Sequence, residues 1–263
     1  MRIISIAGAA LLVAACQEAP PPAPPPKAVA KTAPVPASPV PAKAGSPGAS
    51  GRMTPGWPPA KEEAGGVAAN LFAKNYYVVL DASGSMNEKG CSGDQSKIAA
   101  AKEALNAFVD TLPPDANVGL QVFDGRGINE WLALGVNNRP EFKRQLATVK
   151  ANASTPLKGA ITGAYAKLLG QGARQLGYGE YHLVIVTDGH ADQGQDPTGI
   201  VNKILNESPV VVQTIGFCIG EKHSLNQAGR TIYRAADNVA DLRQGLADVL
   251  AEAPQFTVTE FKK

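Results

Sequence analysis

Tyr76-Tyr77-Val78-Val79-Leu80-Asp81-Ala82-Ser83-Gly84-Ser85 is the stretch that decides the fold. Five consecutive apolar and aromatic residues, all but one of them β-branched or aromatic, are what a strand buried on both faces requires. The run breaks at a carboxylate and enters a short Gly/Ser loop. Beyond it, Ile98, Ala101, Leu105, Phe108 and Val109 recur at helical spacing. Pro113-Pro114 stops that helix.

The alternation continues outward from this unit. Residues 118–123 and 131–136 read as a second and third strand, and the short gap between them predicts a hairpin. Pro140 opens a helix over 140–150. Thr155-Pro156 carries a helix-start signature, with threonine as the cap and proline at the first helical position; that helix runs to about Leu169. Residues 182–187 form a fourth strand that ends at Asp188. Asp196-Pro197 repeats the start signature and leads to about Asn206, and 210–217 is a fifth strand. A short helix is expected near 225–229, a brief strand over 232–235, and a last helix from Asp241. Strands alternating with helices predict an α/β domain: a doubly wound, mostly parallel sheet, Rossmann-like, with helices on both faces. Sites in such sheets lie at the carboxyl ends of the strands.

The remainder of the chain is of another kind. Fourteen of the 21 prolines precede residue 60, in a segment that can neither build ladders nor bury a core. Residues 1–69 hold 6 basic and 3 acidic side chains, which leaves 19 and 20 in 70–263. The domain is near neutral, so a strongly basic nucleic-acid binder is excluded. Lys27, Lys31, Lys43 and Arg52 read as solubilising charges. Lys143, Arg144 and Arg174 read as solvated helix-face charges, and Asp124-Gly125-Arg126-Gly127 as a turn near the rim of the site edge.

Met1-Arg2 and the apolar run 3–15 have the length and flanks of a signal-peptide core, too short to span a bilayer comfortably. The run ends in Val13-Ala14-Ala15-Cys16, which resembles a bacterial lipobox. The resemblance implies cleavage before Cys16 and acylation of that residue, giving the two or more acyl chains that stable anchoring needs. Gln17 after the cysteine suits outer-membrane sorting. The expected organisation is a signal peptide over 1–15, a lipidated Cys16 with a Pro/Ala-rich tether over 16–67, and one domain over 68–263. As extended polyproline II a tether of about 50 residues reaches roughly 150 Å, and as a coil nearer 40 Å. Trp57 lies in that stretch without an assigned role.

Three polar clusters fall on the carboxyl edge of the predicted sheet: Asp81-Ala82-Ser83-Gly84-Ser85, Ser154-Thr155-Pro156-Leu157, and Thr187-Asp188-Gly189. They offer carboxylates and hydroxyls, all oxygen. Asp-x-Ser-x-Ser spacing turns alternate side chains the same way across a tight loop, and Gly84 allows close approach. Hard oxygen ligands with an incomplete shell suit Mg2+. Together the clusters resemble the metal-ion-dependent adhesion site of the von Willebrand factor type A domain family, over about residues 74–252. The resemblance implies that Ser83, Ser85 and Thr155 ligate the metal, that Asp81 and Asp188 act largely through water, and that an Asp or Glu carboxylate from a protein partner completes the shell. Mn2+ or Ca2+ could replace Mg2+. It further implies a binding protein, and the lipobox resemblance implies that this protein is lipid-anchored at a bacterial cell envelope, at the outer membrane facing the periplasm or at the cell surface. The alternative is a structural or scaffold lipoprotein that binds without metal.

An enzyme would need different motifs. Ser83 and Ser85 do not sit in a Gly-x-Ser-x-Gly elbow, Asp81 lacks the second Asp of a phosphoaspartyl hydrolase, and no Gly-x-x-x-x-Gly-Lys loop occurs. His182 heads a strand and reads as a packing or edge residue; His190, directly after Asp188-Gly189, reads as a solvated loop residue or as one beside the metal, and His223 as a loop residue. Cys91 follows strand one and Cys218 ends strand five, both on the site edge, and the two strands are expected two places apart. An oxidising compartment would favour their pairing, and two unpaired thiols are the other outcome.

Overall fold

The computed structural model describes residues 56–59, 65–152 and 154–251. The signal peptide, Cys16 and most of the tether lie outside these residues. The elements are β1 Lys74–Asp81, α1 Lys97–Thr111, β2 Asn117–Asp124, β3 Gly127–Gly135, α2 Arg139–Thr148, α3 Leu157–Arg174, β4 Glu180–Thr187, α4 Thr198–Glu207, β5 Val211–Phe217, β6 Ile232–Ala236 and α5 Val239–Ala251. They build one six-stranded sheet in the order β3-β2-β1-β4-β5-β6. All neighbouring pairs are parallel except β2 and β3, the predicted hairpin.

The strand-one run behaves as its composition requires. Alternate side chains leave opposite faces of a strand, and both faces of β1 are covered. Tyr76, Val78 and Leu80 join a core with Ala101, Leu105 and Phe108 of α1, Phe142 of α2 and Leu246 of α5. Tyr77 and Val79 join a second core with Leu157, Ile161 and Leu168 of α3 and Val201 and Ile204 of α4. Among the described residues, no helix is long and apolar enough to cross a membrane.

Several expectations are corrected. The helix expected near 225–229 does not form. Thr231 Oγ1 accepts from Gln227 N at 3.0 Å and donates to Leu225 O at 2.7 Å, and these side-chain bonds hold the segment in turns. β3 begins at Gly127, earlier than its apolar residues suggested, because the turn at Asp124-Gly125-Arg126 is tight. α3 begins at Leu157, so Pro156 rather than Thr155 sits at the cap. Trp57 is not an uncommitted spacer residue. Its ring packs edge-on against Tyr181 with centroids 4.6 Å apart, beside the core under α3. A Cβ on Gly172 would collide with its Cη2 atom. The packed part of the chain therefore includes Trp57, ahead of the boundary expected at 68.

Candidate metal centre

β1 and β4 are neighbours, and the chain leaves them toward opposite sides of the sheet, a switch point where ligands bind in open α/β sheets. β1 ends in the carboxylate of Asp81 at this edge, and Asp188 directly follows the end of β4. Asp81 closes β1 and is fully buried. Its Oδ1 accepts from Ser83 N at 2.7 Å and its Oδ2 from Thr187 Oγ1 at 2.6 Å. The first bond folds the loop back so that Ser83 and Ser85 face the same place, their Oγ atoms 3.0 Å apart. Ser85 Oγ donates to Asp188 Oδ1 at 2.8 Å, which joins the loop after β1 to the end of β4.

Thr155 arrives from the third direction. Its backbone N donates to Asp192 Oδ2 at 2.8 Å, and Asp192 N donates back to Thr155 O at 3.0 Å. Asn152 N donates to Ala82 O at 2.9 Å, so the segment before α3 is tied to the β1 loop as well. The cap position of α3 is Pro156, so Thr155 stands one residue outside the helix. A Cβ on Gly189 would stand 3.3 Å from Thr155 Oγ1 and 3.8 Å from Ser85 Oγ. Glycine at 189 thus leaves the space between the two hydroxyls open. Asp81, Ser83, Ser85, Thr155 and Asp188, all anticipated from the sequence, are brought together on one edge.

Burial is the largest influence on the Asp81 carboxyl and pushes it up to about 6; the Ser83 and Thr187 hydrogen bonds oppose the rise, and Asp188 adds to it. A buried acid so disfavoured as an anion gains from any cation placed beside it. The donor set fits a hard divalent cation: hydroxyls and carboxylates, with no nitrogen or sulfur. Among the described residues no three or more His, Cys, Asp or Glu side chains gather where they could hold a metal, so the serine and threonine hydroxyls are indispensable to such a shell.

Residues outside the three motifs complete the centre. Lys97, the first residue of α1, is buried and places Nζ 2.8 Å from Asp188 Oδ2. A lysine in a helix's first turn opposes the helix dipole, and that anomaly was the readable signal. Asp192 had no local signal. His223, anticipated only as a loop residue, is buried; its Nε2 lies 3.0 Å from Gly189 O and its Nδ1 accepts from Leu225 N at 3.1 Å, which assigns the proton to Nε2. The exposed His190 ring stacks on it, centroids 5.2 Å apart. His182 is a buried packing residue inside β4, stacked on Tyr76. Cys91, in the loop between β1 and α1, is bonded to Cys218 at the end of β5, with Cα atoms 5.7 Å apart. Asp124 pairs with Arg126 at 2.7 Å, and the guanidinium lies 4.4 Å above the Trp131 ring.

The family model of the von Willebrand factor type A domain matches residues 76–190, a span that contains all five of these oxygen-bearing side chains. The uncharacterized protein YwmD of Bacillus subtilis (strain 168) is 28% identical over 202 residues, 70% of this chain and 86% of that protein. The conserved hypothetical protein BatB of Bacteroides thetaiotaomicron has a similar fold, with a TM-score of 0.52 and 16% identity over 68% of this chain and 100% of that one. The manganese-loaded TRAP protein of Plasmodium vivax aligns with a TM-score of 0.52 and 16% identity over 68% of this chain and 74% of that one. At such identities the solved structures speak to the fold alone. The chain is thus similar to the von Willebrand factor type A domain over residues 76–190, and these solved structures share its fold.

Proposed function

We propose that this protein binds another protein through a divalent cation, Mg2+ in the first place, held by Ser83, Ser85 and Thr155 with Asp81 and Asp188 behind them. The observation that carries the reading is the convergence of these five side chains, from three separate segments, around the space beside Gly189. When bound, the cation would offer an electrophilic position to a partner's Asp or Glu carboxylate, a charge-assisted contact that a neutral side chain cannot match. The protein's own residues orient that position. Asp81 fixes the loop through Ser83 N, and Ser85 and Asp188 hold each other. The manganese in the Plasmodium vivax TRAP structure lends support by analogy of fold. The reading is of a binding protein and not an enzyme: the partner of Ser83 Oγ is Ser85 Oγ, not a general base. The lipobox-like Val13-Ala14-Ala15-Cys16 supports lipid anchoring at a bacterial cell envelope, with the proline-rich segment as spacer.

A metal-independent scaffold is the second reading. Lys97 favours it, because Asp188 already has a cation beside it. One experiment separates the two. Mn2+ binding by titration calorimetry, and capture of envelope proteins with Mg2+ or with chelator, are measured for the wild type and Asp81→Ala. The metal reading expects Asp81→Ala to lose both activities and chelator to release the partner. Partner capture unchanged in chelator would overturn it.

A further inference from the structure

Lys97 is the least expected charge in the molecule. Its side chain is 8% exposed and that of its partner Asp188 is 0% exposed. Burying both ions carries a desolvation penalty, and the lysine stands at the wrong end of α1 for the helix dipole. The fold nevertheless builds a housing for it. Lys97 N donates to Glu88 O at 2.9 Å, and the loop between them passes over the lysine stem. At Gly90 the backbone has a φ of +47°, and a Cβ there would lie 2.7 Å from Lys97 Cε and 3.6 Å from Cys218 Sγ. The disulfide from the adjacent Cys91 pins the same loop to the end of β5. A second carboxylate, Glu88, stands 3.6 Å from the ammonium but is 71% exposed, so water screens it.

Resting on the metal reading above, we propose that Lys97 is a built-in cation that tunes the centre: it weakens divalent-metal binding and strengthens capture of an anion by the loaded site. The buried charges decide this. Asp81 and Asp188 alone would be neutralised by a divalent ion, and a carboxylate ligand would then add an uncompensated negative charge. With Lys97 present the loaded centre is one unit positive, and a single carboxylate brings it to neutrality. The lysine repels the metal and attracts the ligand, so its removal moves the two affinities in opposite directions. A merely structural lysine would shift both the same way or neither.

The test compares the wild type with Lys97→Met and Lys97→Arg. Mn2+ affinity is read by titration calorimetry. Acetate is the carboxylate probe, read by broadening of its methyl proton resonance by protein-bound Mn2+. Lys97→Met is expected to bind Mn2+ on the order of tenfold more tightly, and its loaded form to bind acetate more weakly by a similar factor. Lys97→Arg, which keeps the charge, should stay near the wild type on both. A further readout needs no carboxylate: in chelator Lys97→Met should melt below the wild type, and saturating Mn2+ should raise its Tm by more. If Lys97→Met does not fold, Lys97→Gln is held to the same outcomes. Equal Mn2+ affinity in wild type and variant would overturn the inference and leave the metal reading standing. Absence of Mn2+ binding in both would overturn both.

Discussion

Asp81 and His182 are both buried, and burial moves them in opposite senses. A carboxylate loses its charge as it is desolvated, so its proton is held more tightly; an imidazole refuses its proton for the same reason. Burial is the main influence that lowers His182 below the ordinary 6.5, with the Gln213 hydrogen bond and Glu180 opposing it. The neutral ring suits its place, stacked on Tyr76 with centroids 4.6 Å apart. The unfolded chain takes up a proton below 6.5 that the folded chain declines. The stability associated with His182 is therefore complete above that pH and is lost as the pH falls below it. Tm measured from pH 7.5 to about 5.5 should decline in the wild type relative to His182→Leu. The comparison cancels the contribution of Asp81, which runs the other way: its carboxyl is raised, so the metal-free domain gains from acidification at that residue. Parallel curves would refute the assignment.

At the scale of elements, Thr155 shows why helix-start signatures mislead near a site. Threonine followed by proline has the chemistry of a cap, yet α3 begins at Leu157 with Pro156 at the cap position, one residue beyond Thr155. Its backbone is held by Asp192 instead, 37 residues away in sequence. Trp57 offers the complementary case. It sits among prolines and small residues, where composition announces a spacer, yet its ring fills the ground over Gly172 in α3 and against Tyr181 in β4. Gly172→Ala should expel the indole and cost about 1–3 kcal/mol by overpacking. Trp57→Ala should cost a comparable amount. Because both act on one contact, the double variant should cost clearly less than the two together. Urea denaturation of the four proteins closes the cycle, and additive losses would rule out the contact.

Across the whole molecule, one covalent bond joins the loop that houses Lys97 to the far side of the site edge. Cys91 and Cys218 are 127 residues apart, so the bond closes a long loop, and the chain-entropy account gives it up to about 5 kcal/mol. The Cys91→Ala/Cys218→Ala variant should lose stability toward that figure in urea. Its Mn2+ affinity should also change, since the loop that holds Gly90 and Cys91 covers the Lys97 stem. A destabilised variant with unaltered Mn2+ binding would separate the disulfide from the centre.

The succession of strands and helices, the hairpin of β2 and β3, and the polar clusters ending in Asp81 and Asp188 were legible in the sequence. These are properties of short stretches: apolar periodicity, proline stops and the chemistry of a Gly/Ser turn act within a few residues. They place five oxygen-bearing side chains on one edge of a parallel sheet, because parallel strands send their carboxyl ends to the same side. The Lys97–Asp188 pair, 91 residues apart, the Asp192 brace on Thr155, the buried ring of His223 and the seat of Trp57 were decided only by the tertiary structure. Each depends on which distant segments the sheet order brings within reach. A lysine next to an isoleucine at a helix start has the same local sequence whether it ends in water or against a buried carboxylate. Only the packing of the loop over it excludes the water and makes its charge count.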